Sequence, residues 1–180
     1  MAILKVARIG HPAVRTVATA VSPEVLATPA MQRFIDDMRQ TMYEYDGVGL
    51  AAPQVHECVR LAVMEVRDSD ERAAGGVPFT VLVNPVLTPL GPETLLGWEG
   101  CLSVPDLRGT VPRFARVRLE ALDREGRPLV VEAEGFHARV LQHECDHLDG
   151  RVYLDRMTDL RSLTFLKEFQ DHVARRDDEE

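Results

Sequence analysis

The sequence predicts a single α+β domain, with mixed and antiparallel sheets around a central helix, one helix before them and one after. Three observations carry this. A helical apolar stripe stands near the start, β-branched and alternating segments fill the middle, and helical spacing returns from Phe136. The 180 residues fit one domain, 1–180, large enough to bury a core without disulfides.

The first helix is expected over residues 29–45. Thr28 is a good N-cap and Pro29 suits the first helical position. Met31, Phe34, Ile35, Met38 and Met42 fall at i, i+3, i+4, i+7 and i+11, which reads as core. Gly47 and Gly49 end the helix and open the loop GVGLAAPQ. Residues 59–66 and 79–85 are apolar and β-branched, so they read as strands parted by a polar loop over 68–76. Residues 116–122 alternate, DREG turns the chain, and 128–134 return as a hairpin partner. FHARVLQHECDHL, 136–148, has helical spacing, and Gly150 stops it. Leu160, Leu163, Leu166, Phe169 and Val173 mark a last amphipathic helix. The DDEE ending puts negative charge at that helix's negative end, so residues 177–180 are expected to fray.

Composition narrows the function classes. A net charge of −8 argues against binding a phosphate backbone, so no specific DNA binding is expected. No run approaches the roughly 20 apolar residues that span a bilayer, and the start lacks a secretory pattern. The cytoplasm is the expected compartment. Cys58, Cys101 and Cys145 are an odd count without disulfide spacing, which suits a reducing environment.

His143-Glu144-Cys145-Asp146-His147 is an HExxH motif. On a helix, residues four apart share a face, so both imidazoles can reach one ion. Glu144 can lean over an open coordination position, take a proton from water there and later hand it on. Two histidines need a further protein ligand. Glu168 and His172 sit in a solvent-facing pattern, whereas Cys101 in WEGCLSVP offers a thiolate, with Gly100 allowing close backbone approach. Taken alone, Cys101 reads as a buried apolar cysteine. Its surroundings change that reading.

Three segments together resemble the peptide deformylase family. They are Gly47-Val48-Gly49-Leu50-Ala51-Ala52-Pro53-Gln54, Glu99-Gly100-Cys101-Leu102-Ser103 and Gln142-His143-Glu144-Cys145-Asp146-His147, in the family's order. The resemblance implies Cys101, His143 and His147 as metal ligands with water as the fourth, and Glu144 as general acid/base. It implies Gln54 (side-chain amide) and Leu102 (backbone N–H) as donors to the oxyanion. Val48 and Gly49 would pair with substrate backbone beside Gly100. Phe136 and Val140 would receive the methionine side chain, and Arg108 would lie near the substrate. The implied reaction removes formate from the N-formylmethionine that begins bacterial and organellar proteins. The implied ion is Fe(II), replaceable by Zn(II), Ni(II) or Co(II), in a bacterial enzyme or in an organellar one freed of its transit peptide. Some members contact the ribosome through a basic C-terminal helix; this chain has Arg175 and Arg176 but ends DDEE.

Two positions depart from the family pattern. Cys145 stands where methionine is common and is expected to pack. His56 stands where glycine is common and is expected at the surface without partners. His11 and His137 read as local hydrogen-bonding residues rather than ligands. Arg113, Arg116 and Arg118 read as the solvated face of one hairpin, with one arginine a possible partner of Asp146. Two rival readings make different demands. A catalytically silent homologue would have lost Glu144, Gln54 or Cys101, and a general HExxH endopeptidase would carry a downstream third ligand.

Overall fold

The computed structural model describes residues 2–67, 70 and 76–174. The expected 68–76 loop lies mostly outside these residues, and the 177–180 tail wholly so.

Helix α1 (Pro23–Leu26) leads into α2 (Pro29–Glu44), where Thr28 accepts from the Met31 N–H and Pro29 opens the first turn. The stripe buries Ile35, Met38 and Met42 completely, while Met31 and Phe34 graze the core edge. Burial of each such side chain stabilises the fold by about 1.5–3 kcal/mol.

The five-stranded sheet runs β1 (Gly49–Ala51), β2 (Leu61–Val66), β3 (Val77–Pro89), β6 (Arg116–Leu122), β7 (Pro128–Glu134), and every neighbouring pair is antiparallel. Helix α2 covers it through Leu50, Leu61, Val63, Val81 and Val83. The β6–β7 hairpin forms where DREG predicts it, with the Asp123 carboxylate accepting from the Glu125 and Arg127 N–H groups. Helix α3 (Gly135–Leu148) leaves β7 through Gly135 at φ +57°, a left-handed turn suited to glycine, and packs Ala138 and Leu141 onto the same sheet.

A second sheet, β4 (Thr94–Cys101), β5 (Val104–Phe114) and β8 (Thr164–Phe165), lacks a clear sequence signature. Gly97, Gly100, Pro105, Gly109 and Pro112 interrupt its alternation, so the strands rest on long antiparallel pairing rather than local preference.

The expected continuous C-terminal helix is a correction. Residues 160–174 form a 3-10 turn (Leu160–Ser162), strand β8, the short helix α4 (Leu166–Phe169) and a π-turn (Gln170–Ala174). The edge of β5 takes Thr164 and Phe165 as a strand partner, and this tertiary pairing overrides the helical period. No helix among the described residues is long and apolar enough to cross a membrane.

Candidate metal centre

Helix α3 sets His143 and His147 one turn apart, and β4 delivers Cys101 between them and the loop after α2. The Cys101 Sγ lies 3.2 Å from His147 Nε2, which lies 3.2 Å from His143 Nε2. All three donor atoms fall within 4.8 Å of one another. The His143 Nδ1 donates to Glu99 Oε2 at 2.9 Å. That bond leaves the Nε2 lone pair turned towards the shared point. One sulfur and two imidazole nitrogens in a buried corner fit a divalent cation with three protein ligands and one open position.

Charge supports the arrangement. Burial alone would raise the Cys101 thiol, but His147 and His143 beside it hold it well below its ordinary value. Burial would likewise raise Glu99, yet Arg113 and His143 keep its carboxyl far below the usual range. Glu99 takes Arg113 at 2.8 and 3.0 Å and Arg139 at 2.8 Å. Arg113 also reaches Asp146 at 2.5 Å, and Asp146 receives Arg156 at 2.6 Å.

The solvated reading of Arg113 is therefore corrected. It is 5% exposed, on β5 rather than on the hairpin, and is the arginine that pairs with Asp146 from within the fold; Arg156 adds a second partner. Arg116 and Arg118 do face solvent on the hairpin, and Arg118 pairs there with Glu120 and Glu132.

Glu144 is buried beside the histidines. Burial, its largest cause, pushes its carboxyl up to about 7. Its Oε2 has no hydrogen-bond partner among the described residues. Gly49 makes the room: a Cβ there would fall within 2.6 Å of the Glu144 Cδ. Gln54, in a 3-10 turn (Ala52–Val55), is fixed by its own ends. Its Oε1 accepts from the Ala51 N–H at 2.9 Å, which aims Nε2 at Ser103 Oγ (3.2 Å) and Cys101 Sγ (3.5 Å).

Eleven of the twelve site residues named from sequence line one cavity of about 1540 Å³: Val48, Gly49, Gln54, Gly100, Cys101, Leu102, Arg108, Phe136, Val140, His143 and Glu144. His147, 1% exposed, lies beneath it. Arg108 lies over Gly100 and donates to the Leu107 carbonyl at 2.9 Å.

Sequence reasoning gave no role to Glu99, Ser103, Arg139 or Tyr153. Glu99 sits inside the EGC segment and Arg139 one helical turn before His143, so both positions carried a signal. Tyr153 is fully buried, and its ring stacks at 18° to His143 with centroids 6.5 Å apart.

Cys145 packs in the core as expected, its thiol pushed up to about 12 by burial. His56 is exposed but has a partner, which corrects the expectation of none: the His11 ring sits edge-on at 4.5 Å. His11 Nδ1 accepts from the Ala13 N–H, so it is a local capping residue as expected. His56 has φ +72°, a left-handed backbone that explains why glycine suits this position. His137 is half-buried, which draws its imidazole towards the neutral form.

The sequence matches the family model described as Polypeptide deformylase over residues 3–162. It is 43% identical over 165 residues to peptide deformylase 2 of Pseudomonas syringae pv. tomato, covering 91% of this chain and 92% of the relative. Peptide deformylase 1 of Bordetella pertussis is 48% identical over 165 residues, 91% of each chain. The Met-Ala-Ser-bound class I type b peptide deformylase of Acinetobacter baumannii superposes with a TM-score of 0.81 at 36% identity, over 87% of this chain and 100% of that one. Its actinonin-bound form gives 0.77 at 36% identity, over 88% and 100%. With the family model matching residues 3–162 and relatives 43% and 48% identical over 91% of the chain, the chain belongs to the polypeptide deformylase family.

Proposed function

We propose that the formyl group this hydrolase removes from N-formylmethionine peptides is cleaved at the corner formed by Cys101, His143, His147 and Glu144. One observation carries the assignment. A buried carboxylate with a free oxygen stands beside three converging metal-type donors, at the floor of a peptide-sized groove.

A divalent cation held by Cys101, His143 and His147 would supply Lewis acidity and lower the pKa of water. Glu144 then accepts a proton from the attacking water and delivers it to the methionine nitrogen as formate leaves. A carboxyl raised to about 7 exchanges protons in both directions near neutral pH. The Gln54 amide, oriented by the Ala51 N–H, and the backbone N–H of Leu102 donate to the oxygen on which charge develops. Glu99 keeps His143 in the tautomer that ligation needs.

The peptide's course follows from sheet topology. β1 is an edge of the five-stranded sheet and β4 an edge of the three-stranded one. A formylated peptide enters between them as an added strand, with Val48 and Gly49 on one side and Gly100 on the other. Phe136 and Val140 receive the methionine side chain, and Arg108 flanks the chain beyond it. The Met-Ala-Ser complex of the A. baumannii relative supports peptide binding by this family member.

In this scheme the whole chain acts as one catalytic domain in the bacterial cytoplasm, where formylated nascent peptides arise. Fe(II) is the native ion, and Zn(II), Ni(II) or Co(II) replace it. Nickel and zinc stand above iron in the general affinity order, so exchange during purification is expected. Arg175 and Arg176 lie outside the described residues, and ribosome contact forms no part of the proposal.

The test is formate release from formyl-Met-Ala-Ser by anaerobically prepared enzyme, with metal analysis on the same sample. One metal per chain with formate and free amine in equal amounts is expected. A fully loaded sample that releases no formate would sink the assignment.

A further inference from the structure

The three candidate ligands come from two elements, so their spacing depends on how β4 is held against α3. β4 carries Cys101, and α3 carries His143 and His147. Arg139 stands on α3 one helical turn before His143 and is 8% exposed. Its Nη2 donates to the Leu95 carbonyl at 2.7 Å, and its Nη1 to the Val111 carbonyl and to Glu99 Oε1 at 2.8 Å each. The Gly97 carbonyl lies at 3.3 Å. Leu95, Gly97 and Glu99 belong to β4 and Val111 to β5. One guanidinium thus bridges helix and strand along the stretch that leads into Cys101. A planar fork of five donors suits this task, whereas the point charge of an ammonium does not span the same carbonyls.

Gly97 makes the seat. A Cβ at position 97 would fall 2.7 Å from Arg139 Nη2 and 2.9 Å from its Cζ, and the three nearest atoms all belong to Arg139. Glycine weakens a strand interior, and its presence there marks a close approach. Beyond the other end of the HExxH turn, Arg113 on β5 holds Asp146 of α3 at 2.5 Å. Helix α3 is therefore clamped to the second sheet on both sides of His143, by Asp146 through β5 and by Arg139 through β4. Glu99 joins the two clamps, since Arg113 and Arg139 share its Oε1 while His143 Nδ1 meets its Oε2.

We infer that Arg139 is a positioning residue for the metal corner: by bridging α3 to β4, with Gly97 as its seat, it sets the separation between the Cys101 sulfur and the two imidazoles. The inference rests on the proposed metal site. Without the bridge, the Leu95 and Val111 carbonyls lose this donor, and β4 loses a tie to the helix just ahead of Cys101. Partners that orient metal ligands are typically worth about 10–100-fold in metal affinity.

The experiment loads full-length wild type, Arg139→Met, Gly97→Ala and the double variant with Co(II). It reads the thiolate-to-cobalt absorption band, the rate of ion loss to a chelator, and the melting temperature. Arg139→Met should weaken or shift the band and lose its ion about tenfold faster. Gly97→Ala should change both in the same direction. Adding it to Arg139→Met should cost less than about twofold more, because the two act through one contact. A lowered melting temperature with a wild-type band and release rate would reduce Arg139 to a brace for the fold and overturn the inference. So would additive losses in the double variant. If Arg139→Met does not fold, Gly97→Ala decides alone by the same two readouts. A wild type that shows no thiolate band would overturn the Cys101 assignment, and the positioning role with it.

Discussion

Gly49 and Glu144 are built around each other: the Glu144 carboxylate occupies the space a side chain at position 49 would need. The nearest wall of the groove is thus bare backbone, and a polypeptide can approach both β1 and the Glu144 carboxylate. Gly49→Ala would push the Glu144 carboxylate from its seat while leaving Cys101, His143 and His147 in place. Displacement of a reacting group by about 1 Å costs on the order of a hundredfold. The expected outcome is a fall in kcat/KM of at least about tenfold at unchanged metal content. An active Gly49→Ala enzyme would show that Glu144 needs no such room.

Glu144→Gln preserves shape but removes the carboxylate proposed to carry the proton. General acid/base groups contribute about a hundredfold or more, so kcat should drop by that order while metal content and peptide binding persist. Steady-state kinetics with metal analysis separates the two effects. Near-normal turnover would remove Glu144 from its role.

Cys101→Ser replaces a thiolate by a far poorer ligand. The histidines beside it draw the Cys101 thiol well below its ordinary value, which favours the thiolate that a cation would bind. The variant should lose most of its metal on dialysis and its activity in proportion. Full occupancy after dialysis would show that Cys101 is not a ligand.

Legibility of the fold tracked the locality of the forces. Helix α2 was readable because Thr28 caps it and Ile35, Met38 and Met42 repeat on one face. The candidate metal corner was readable because HExxH brings two imidazoles to one face by helix geometry alone. β4 and β5 were not, since their glycines and prolines hide a pairing made only across the sheet. Arg113 looked solvated for the same reason. Its partners, Glu99 and Asp146, come from a strand 14 residues away and a helix 33 residues away. Phe169 kept a helical period that a strand contact at Thr164 and Phe165 overrides.

That buried network yields the last prediction. Asp146 is 4% exposed and accepts from Arg113 and Arg156. Burial alone would raise its carboxyl, but Arg156 and Arg113 bring it below its ordinary value. A depressed folded value contributes stability that is present above the unfolded value, about 3.9, and is lost as pH falls through the folded one. Asp146→Asn leaves Arg113 buried with Glu99 alone, and breaking a buried pair typically costs about 3–5 kcal/mol. Urea unfolding of the metal-free proteins at pH 7 should show a loss of that order. The gap between wild type and variant should narrow as pH is lowered below about 4, where the wild-type carboxylate also takes up its proton. Working without metal keeps acid release of the ion from contributing. A gap under about 1 kcal/mol at pH 7, or one that widens towards acid, would show that the Asp146 charge does not hold Arg113 in the fold.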